Sequence, residues 1–255
     1  MRLMSDRDDK DLTRYDPLAL QSVLIQGEDA PGFLARMTTY DAALEPAFAA
    51  LCTPQGLVRF LFAVEKTAGG FRAVLPADAA GSFAAAMSRY VLRDRVEITL
   101  EALPVFGRQG DARAMRVSAQ DDAESPAPRD FWLNQIASGV AWVFAANAGA
   151  LHPASLGLDD GRTLSFTKGC YVGQEIVTRM HHAGVRPQVL ARFAFEGRKV
   201  PVPGTFLAGS ANASGRILYA LEADAGGFAL GCVTAGDALQ TWTADGVSLR
   251  LLSLV

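Results

Sequence analysis

From residue 189 onward the chain changes character in a way that leaves few folds open. The runs VLARFAFEG, TFLAG, GRILYALEA, GFALGCVTA, LQTWTADG and VSLRLLSLV follow one another, each cut off by Gly, Pro, Asn or Asp. None carries a helical period. Short apolar runs separated this closely by turn residues predict a small β-barrel or sandwich. A domain boundary near residue 190 follows, with 190–255 as a C-terminal barrel.

The first hundred residues read differently. Residues 1–17 are a charged lead-in, and SVLIQG (22–27) then reads as a strand. A helix follows over 29–37, with Pro31 tolerated in its first turn. AFAALC (47–52) and LVRFLFAVE (57–65) flank Pro54-Gln55-Gly56, which is a hairpin signal. Gly69-Gly70 leads into the strand FRAVLP. Residues 77–93 form an alanine-rich helix in which Phe83, Met87, Tyr90 and Val91 keep the 3.6 period. VEITLEA (96–102) closes the series as a strand. The order β-α-β-β-β-α-β predicts a split βαβ unit of ferredoxin-like type with one additional strand over 18–103.

The middle, 104–189, is less regular. Weak strands are expected at 103–107 and 112–119, an acidic loop at 120–128, and a helix at 129–139 with Phe131, Trp132 and Ile136. The unit ends in TLSFTKGCYVGQEIVTRMHHAG, residues 163–184, which holds one of three cysteines and two of three histidines. Residues 163–166 alternate as a short strand. From Gln174 the pattern is helical, with Ile176, Val177 and Met180 on one face, and Gly184 and Pro187 stop it. Lys168 and Cys170 therefore precede a helix N-terminus, where the helix dipole and a nearby ammonium both favour thiolate over thiol. The competing reading is a small buried cysteine, the usual fate of a free one.

Totals narrow the functional classes. The chain has 255 residues, 50% hydrophobic and 20% charged, with a formal net charge of -3. This is a globular composition with material for a large core. A slightly acidic chain argues against an extended basic nucleic-acid face. Cys52, Cys170 and Cys232 are odd in number and far apart, so they make neither a disulfide framework nor a zinc spacing. A reducing cytoplasm is the expected home. The beginning MRLMSDRDDKDLTRYD lacks the apolar run of a signal peptide. No run approaches the ~20 apolar residues of a membrane span.

KGCYVGQE, residues 168–175, resembles the signature of the YgfZ family, folate-binding relatives of the glycine-cleavage T-protein, an aminomethyltransferase. Lys168, Gly169, Cys170, Tyr171, Gly173, Gln174 and Glu175 match it. Weaker likenesses run along the chain: LIQGEDAPGFL through Gly27, Asp29, Ala30, Phe33 and Leu34, then TPQGLVRF, RYVLRDRVEI and GFALGCVTA. Ala35-Arg36-Met37 stands where the family often has Gln-Gly-Gln, although Thr39 and Asp41 fit. Pro153-Ala154-Ser155 stands where it has a Pro-Gln-Glu-like segment.

The resemblance implies an α+β chain with two ferredoxin-like units around a central folate channel and a C-terminal β-barrel. It also implies tetrahydrofolate as the bound cofactor and iron-sulfur client or assembly proteins as partners, including enzymes that modify tRNA. Direct nucleic-acid or membrane binding is not expected, and a monomer is. Cys170 and Lys168 are the candidate reactive pair. Tyr171, Gln174, Glu175, Arg179, Asp41 and Trp142 are the candidate folate contacts. A carboxylate such as Glu175 can accept two hydrogen bonds from the pterin edge, an aromatic can stack, and an arginine can hold the anionic tail.

Each assignment has a structural alternative. Glu175 can pair with Arg179 across one helical turn. Trp132, Trp142 and Tyr171 can be core, and Arg179 and Arg186 can be solvated. A transferase like the T-protein is the second functional class. A cysteine hydrolase using Cys170, His181 or His182, and Asp159 or Asp160 is the third. In a helix, His181 lies ~10 Å from the loop at 1.5 Å rise per residue, which opposes that third reading.

Overall fold

The computed structural model describes residues 20–44, 46–101, 105–107, 115–117, 128–161, 163–210, 213–234 and 241–255. The expected lead-in and nearly all of the acidic loop at 120–128 lie outside them.

The first unit consists of β1 (Leu20–Gln26), α1 (Ala30–Met37), β2 (Phe48–Cys52), β3 (Val58–Thr67), β4 (Gly70–Pro76), α2 (Ala77–Ser88) and β5 (Glu97–Glu101). Its sheet has the order β2-β3-β4-β1-β5, every pair antiparallel. Strands β5-β1-β4-β3 reproduce the split βαβ order, and β2 is the additional strand at the edge. Alternate residues serve opposite faces. Ala49, Leu51, Phe60 and Phe62 pack with Phe33, Leu34, Phe83 and Met87 of the two helices. Phe48, Ala50, Leu61 and Ala63 face a second core shared with the rest of the chain. Burial on both faces is why AFAALC is apolar throughout rather than alternating. Helix α2 stops at Ser88, short of the expected Arg93. The amides of Tyr90 and Val91 bond three residues back, to Met87 and Ser88, so the chain tightens and leaves α geometry.

The C-terminal unit is a closed barrel of β8 (Val189–Glu196), β9 (Phe206–Gly209), β10 (Ser214–Ala223), β11 (Gly226–Val233), β12 (Thr241–Ala244) and β13 (Val247–Leu254). Phe193, Phe195, Leu207, Ile217, Trp242 and Leu249 fill it. Leu190, Leu218, Tyr219, Leu230 and Cys232 turn outward and join the sheet's second core.

Between them, the described residues hold a two-stranded ladder of β6 (Val105–Gly107) and β7 (Met115–Val117), then α3 (Pro128–Ala137) and α4 (Gln174–His182). No second ferredoxin-like sheet is formed among the described residues. The expected strand at 163–166 is not one: Thr163, Leu164 and Ser165 are buried in irregular backbone. Their alternation reflects loop residues packing inward without a partner strand. Among the described residues no helix is long and apolar enough to cross a membrane.

Candidate functional site

Residues 163–173 carry the motif as a loop, so their position depends on individual contacts. The largest is Lys168. Its Nζ donates to the carbonyls of Ala35 at 2.5 Å, Thr38 at 2.6 Å and Tyr40 at 2.6 Å. These carbonyls lie at and just beyond the C-terminal end of α1, where unpaired acceptors and the negative end of the helix dipole attract a cation. The Tyr171 ring lies against the same ammonium, 4.8 Å from its centroid. Burial pulls the Lys168 pKa down to about 8, with the charge of Asp41 acting in the opposite direction. The expected role beside the thiol is therefore corrected. All three ammonium protons are consumed by carbonyls, and Lys168 ties the motif to α1 rather than facing Cys170.

Asp41 takes part in the same anchor. A hydrogen bond with the Ser165 hydroxyl, then one from the Ala43 amide, holds its carboxyl below the usual carboxylate range. Ser165 also accepts from the Lys168 amide at 3.2 Å. Asp41 is thus already engaged in fixing the loop.

The other end of the loop is set by glycine. Gly173 has φ +81°, and a Cβ there would stand 2.4 Å from the Thr53 carbonyl and 3.1 Å from the Cys52 Cβ. Gly56, in the hairpin between β2 and β3, similarly lets the chain approach Ile176 of α4. Two residues without side chains thus dock the hairpin onto the helix start. Cys52 lies in the core beneath, its thiol pushed up to about 12 by burial.

The candidate residues then separate into two sets. Tyr171 is buried, its hydroxyl has no hydrogen-bond partner among the described residues, and burial raises its pKa. The Gln174 side chain accepts from the Tyr171 amide at 3.3 Å and closes the turn. Trp142 is fully buried; its ring NH donates to Gln135 at 3.0 Å and its ring packs against Phe48 and Trp132. It belongs to the core, so the expectation that it stacks on a pterin is corrected. By contrast Cys170 is exposed. It lines an open depression of about 710 Å³ together with Tyr171, Glu175, Thr178, Arg179 and His182. Glu175 and Arg179 are exposed and, among the described residues, form no ion pair with each other.

The hydrolase arrangement is not assembled. His181 stacks flat on Phe166 at 3.8 Å, and Asp159 is held by Arg186 at 2.9 Å. Arg186 is thereby committed to an ion pair. Among the described residues no hydrogen bond joins Cys170 to either histidine. Pro54 and Phe166 complete the depression. In the sequence, Pro54 stands out only through the Pro-Gln-Gly hairpin signal, and nothing local marks Phe166.

No protein-family model matches the sequence. Over 92% of this chain and 83% of the other, the structure is similar to the crystal structure of glycine cleavage system aminomethyltransferase T from Bartonella henselae, with a TM-score of 0.61 and 12% identity. At that identity the likeness is one of architecture, and it shows that this chain has an aminomethyltransferase T-like fold.

Proposed function

We propose that this chain is a tetrahydrofolate-binding protein whose motif cysteine supports assembly or repair of iron-sulfur clusters in client enzymes, tRNA-modifying enzymes among them. The observation that carries the reading is Cys170, the exposed cysteine of the KGCYVGQE signature, opening into a depression large enough for a small ligand. The other two cysteines are buried, so thiol chemistry toward a partner falls to Cys170. The aminomethyltransferase-like fold agrees with a folate ligand.

The residues at the depression fit part of a folate. Glu175 offers a carboxylate for the pterin edge, and Arg179 one turn on offers a guanidinium for the glutamate tail. When bound, the folate would supply a one-carbon carrier; this chain's own side chains bind and orient it.

The test is a titration of tetrahydrofolate by calorimetry, since all three tryptophans are buried and give a poor optical readout. Cys170→Ser should bind folate like the parent and fail to restore iron-sulfur enzyme activity in a strain lacking the homologous factor. Full restoration by that variant removes the cysteine from the mechanism.

A folate-dependent aminomethyl transferase is the second reading, favoured by the fold alone. It requires methylene-tetrahydrofolate to form from an aminomethyl-loaded lipoyl donor, and absence of that product rejects it.

A further inference from the structure

Two separate segments of the chain grip the hairpin between β2 and β3. The first is the motif itself: Gly173 packs on the Thr53 carbonyl, Ile176 packs on Gly56, and Pro54 shares the wall of the depression with Cys170. The hairpin is closed on itself, with the Gly56 amide donating to the Thr53 carbonyl at 2.9 Å and the Thr53 amide to the Leu57 carbonyl at 2.8 Å. The second segment is 149–152. The Gly149 amide donates to the Val58 carbonyl and the Val58 amide to the Leu151 carbonyl, both at 2.8 Å, which fixes the base of the hairpin. His152, the next residue, reaches the tip: its ring Nδ1 lies 3.1 Å from the Gly56 carbonyl oxygen. A carbonyl only accepts, so Nδ1 carries the proton and donates. Among the described residues, His152 is the only side chain outside the hairpin that bonds to residues 53–57. Its own mount is firm. The Ser155 amide donates back to the His152 carbonyl at 3.0 Å, and the Ser155 carbonyl accepts from the buried Cys232 thiol at 3.1 Å.

We propose that His152 is a positioning residue for the Cys170 motif: it holds the tip of the hairpin, and the hairpin in turn fixes the turn at Gly173. The inference rests on the reading that Cys170 is the reactive group. The path of contact is short. The imidazole bonds to the Gly56 carbonyl, Gly56 abuts Ile176 in the first turn of α4, and the Thr53 carbonyl abuts Gly173. Cys170 stands three residues before Gly173. The His152 ring also lines a gap of only about 10 Å³ with Phe166, Val177, Met180 and His181. Such a gap has room for one water at most, so this is a packed joint and not a ligand site. His152 therefore makes two kinds of contact, a donated hydrogen bond to the hairpin and apolar packing toward α4. The proposal assigns the positioning role to the hydrogen bond.

The test separates the two contacts on the full chain. His152→Leu keeps an apolar side chain and removes the donor. His152→Asn loses the ring and keeps an N–H one bond from Cγ, as Nδ1 is. His152→Gln carries its N–H one bond farther out, as Nε2 does. Amide hydrogen exchange reads residues 53–58 and 170–177, and iodoacetamide with peptide mapping reads Cys170. In the Leu and Gln variants, exchange in both segments should be roughly twofold to tenfold faster, the range that one such bond contributes. Cys170 alkylation should change by about twofold or more. His152→Asn should bring both readouts back to the parent values, and strands β10 and β11 should exchange as in the parent in all three variants. Unchanged exchange in His152→Leu overturns the inference. Protection kept in the Leu variant and lost in the Asn variant also overturns it, since the ring would then act by packing. Equal rescue by Asn and Gln, faster exchange of the same size in β10 and β11, or an unaltered Cys170 rate overturns it as well. None of these readouts needs folate or a client enzyme, so their failure leaves the proposed function standing. Full restoration of iron-sulfur enzyme activity by Cys170→Ser rejects that function and leaves the hairpin result intact.

Discussion

The C-terminal barrel and the loop at 163–173 are held by opposite means. In the barrel, every strand is paired on both sides, and β10 and β11 stay in register from Gly215 opposite Val233 to Ala223 opposite Gly226, with one irregularity. Its interior is packed by large side chains such as Phe193 and Trp242. The loop has no ladder. It rests on three bonds from one ammonium, one carboxylate–hydroxyl pair and one glycine pressed against a carbonyl. Stability spread over many small contacts tolerates the loss of any one polar contact. A loop held at a few atoms can be displaced by one substitution while the rest of the fold persists, and this loop carries the exposed thiol.

Phe193→Ala gives the largest expected effect. The residue is fully buried at the barrel centre, and the truncation should cost about 3–5 kcal/mol in urea unfolding. Alkylation of Cys170 under folding conditions should be nearly unchanged. A change in that rate as large as the stability loss would show that barrel and loop are one unit. Gly173→Ala comes next, at about 2–4 kcal/mol, from the left-handed backbone and the clash with the Thr53 carbonyl. Here Cys170 alkylation should change strongly. An unaltered rate would mean that the glycine does not position the motif.

Tyr219→Phe probes the junction. The Tyr219 hydroxyl donates to the Val140 carbonyl at 2.6 Å, both residues buried, and removing it leaves that acceptor unpaired at a cost of about 1–3 kcal/mol. A loss below the measurement error would show that water replaces the bond.

The smallest effect is a pH slope. Lys168 has its pKa lowered from 10.5 to about 8 in the folded chain, so between those values the unfolded chain binds the extra proton. Stability from this group therefore rises as pH increases from about 8 towards 10.5 and is flat below. Unfolding free energies measured at pH 7.5 and 9.5 should show the rise in the parent and lose it in Lys168→Met. An identical slope in both proteins would assign it to another group.

Where each expectation held or failed has a physical reason. The βαβ order and the barrel depend on periodicity and turn residues, which are local. Helix α4 began at Gln174 as the pattern required, because Gly173 and the apolar positions Ile176, Val177 and Met180 are neighbours in sequence. The strand expected at 163–166 failed because alternation describes which side chains turn inward, and a strand also needs a partner to pair with. Proximity in sequence makes Lys168 a neighbour of the thiol, because only Gly169 separates it from Cys170. Its actual acceptors lie about 130 residues earlier. An aromatic such as Trp142 can stack on a ligand as far as sequence goes, but its packing against Phe48 and its bond to Gln135 place it in the core.

The sequence by itself determined the two sheet-bearing ends, the start of α4 and the identity of the reactive candidate, since pattern, turn chemistry and a specific eight-residue signature are all written along the chain. Only the tertiary structure decided which way each polar group of the motif points. Three carbonyls at the end of a distant helix claim Lys168, a buried hydroxyl claims Asp41, and Cys170, Glu175 and Arg179 are left facing the open depression. Hydrogen-bond donors and acceptors must be satisfied by whatever the fold brings within about 3 Å, and sequence proximity does not supply that distance.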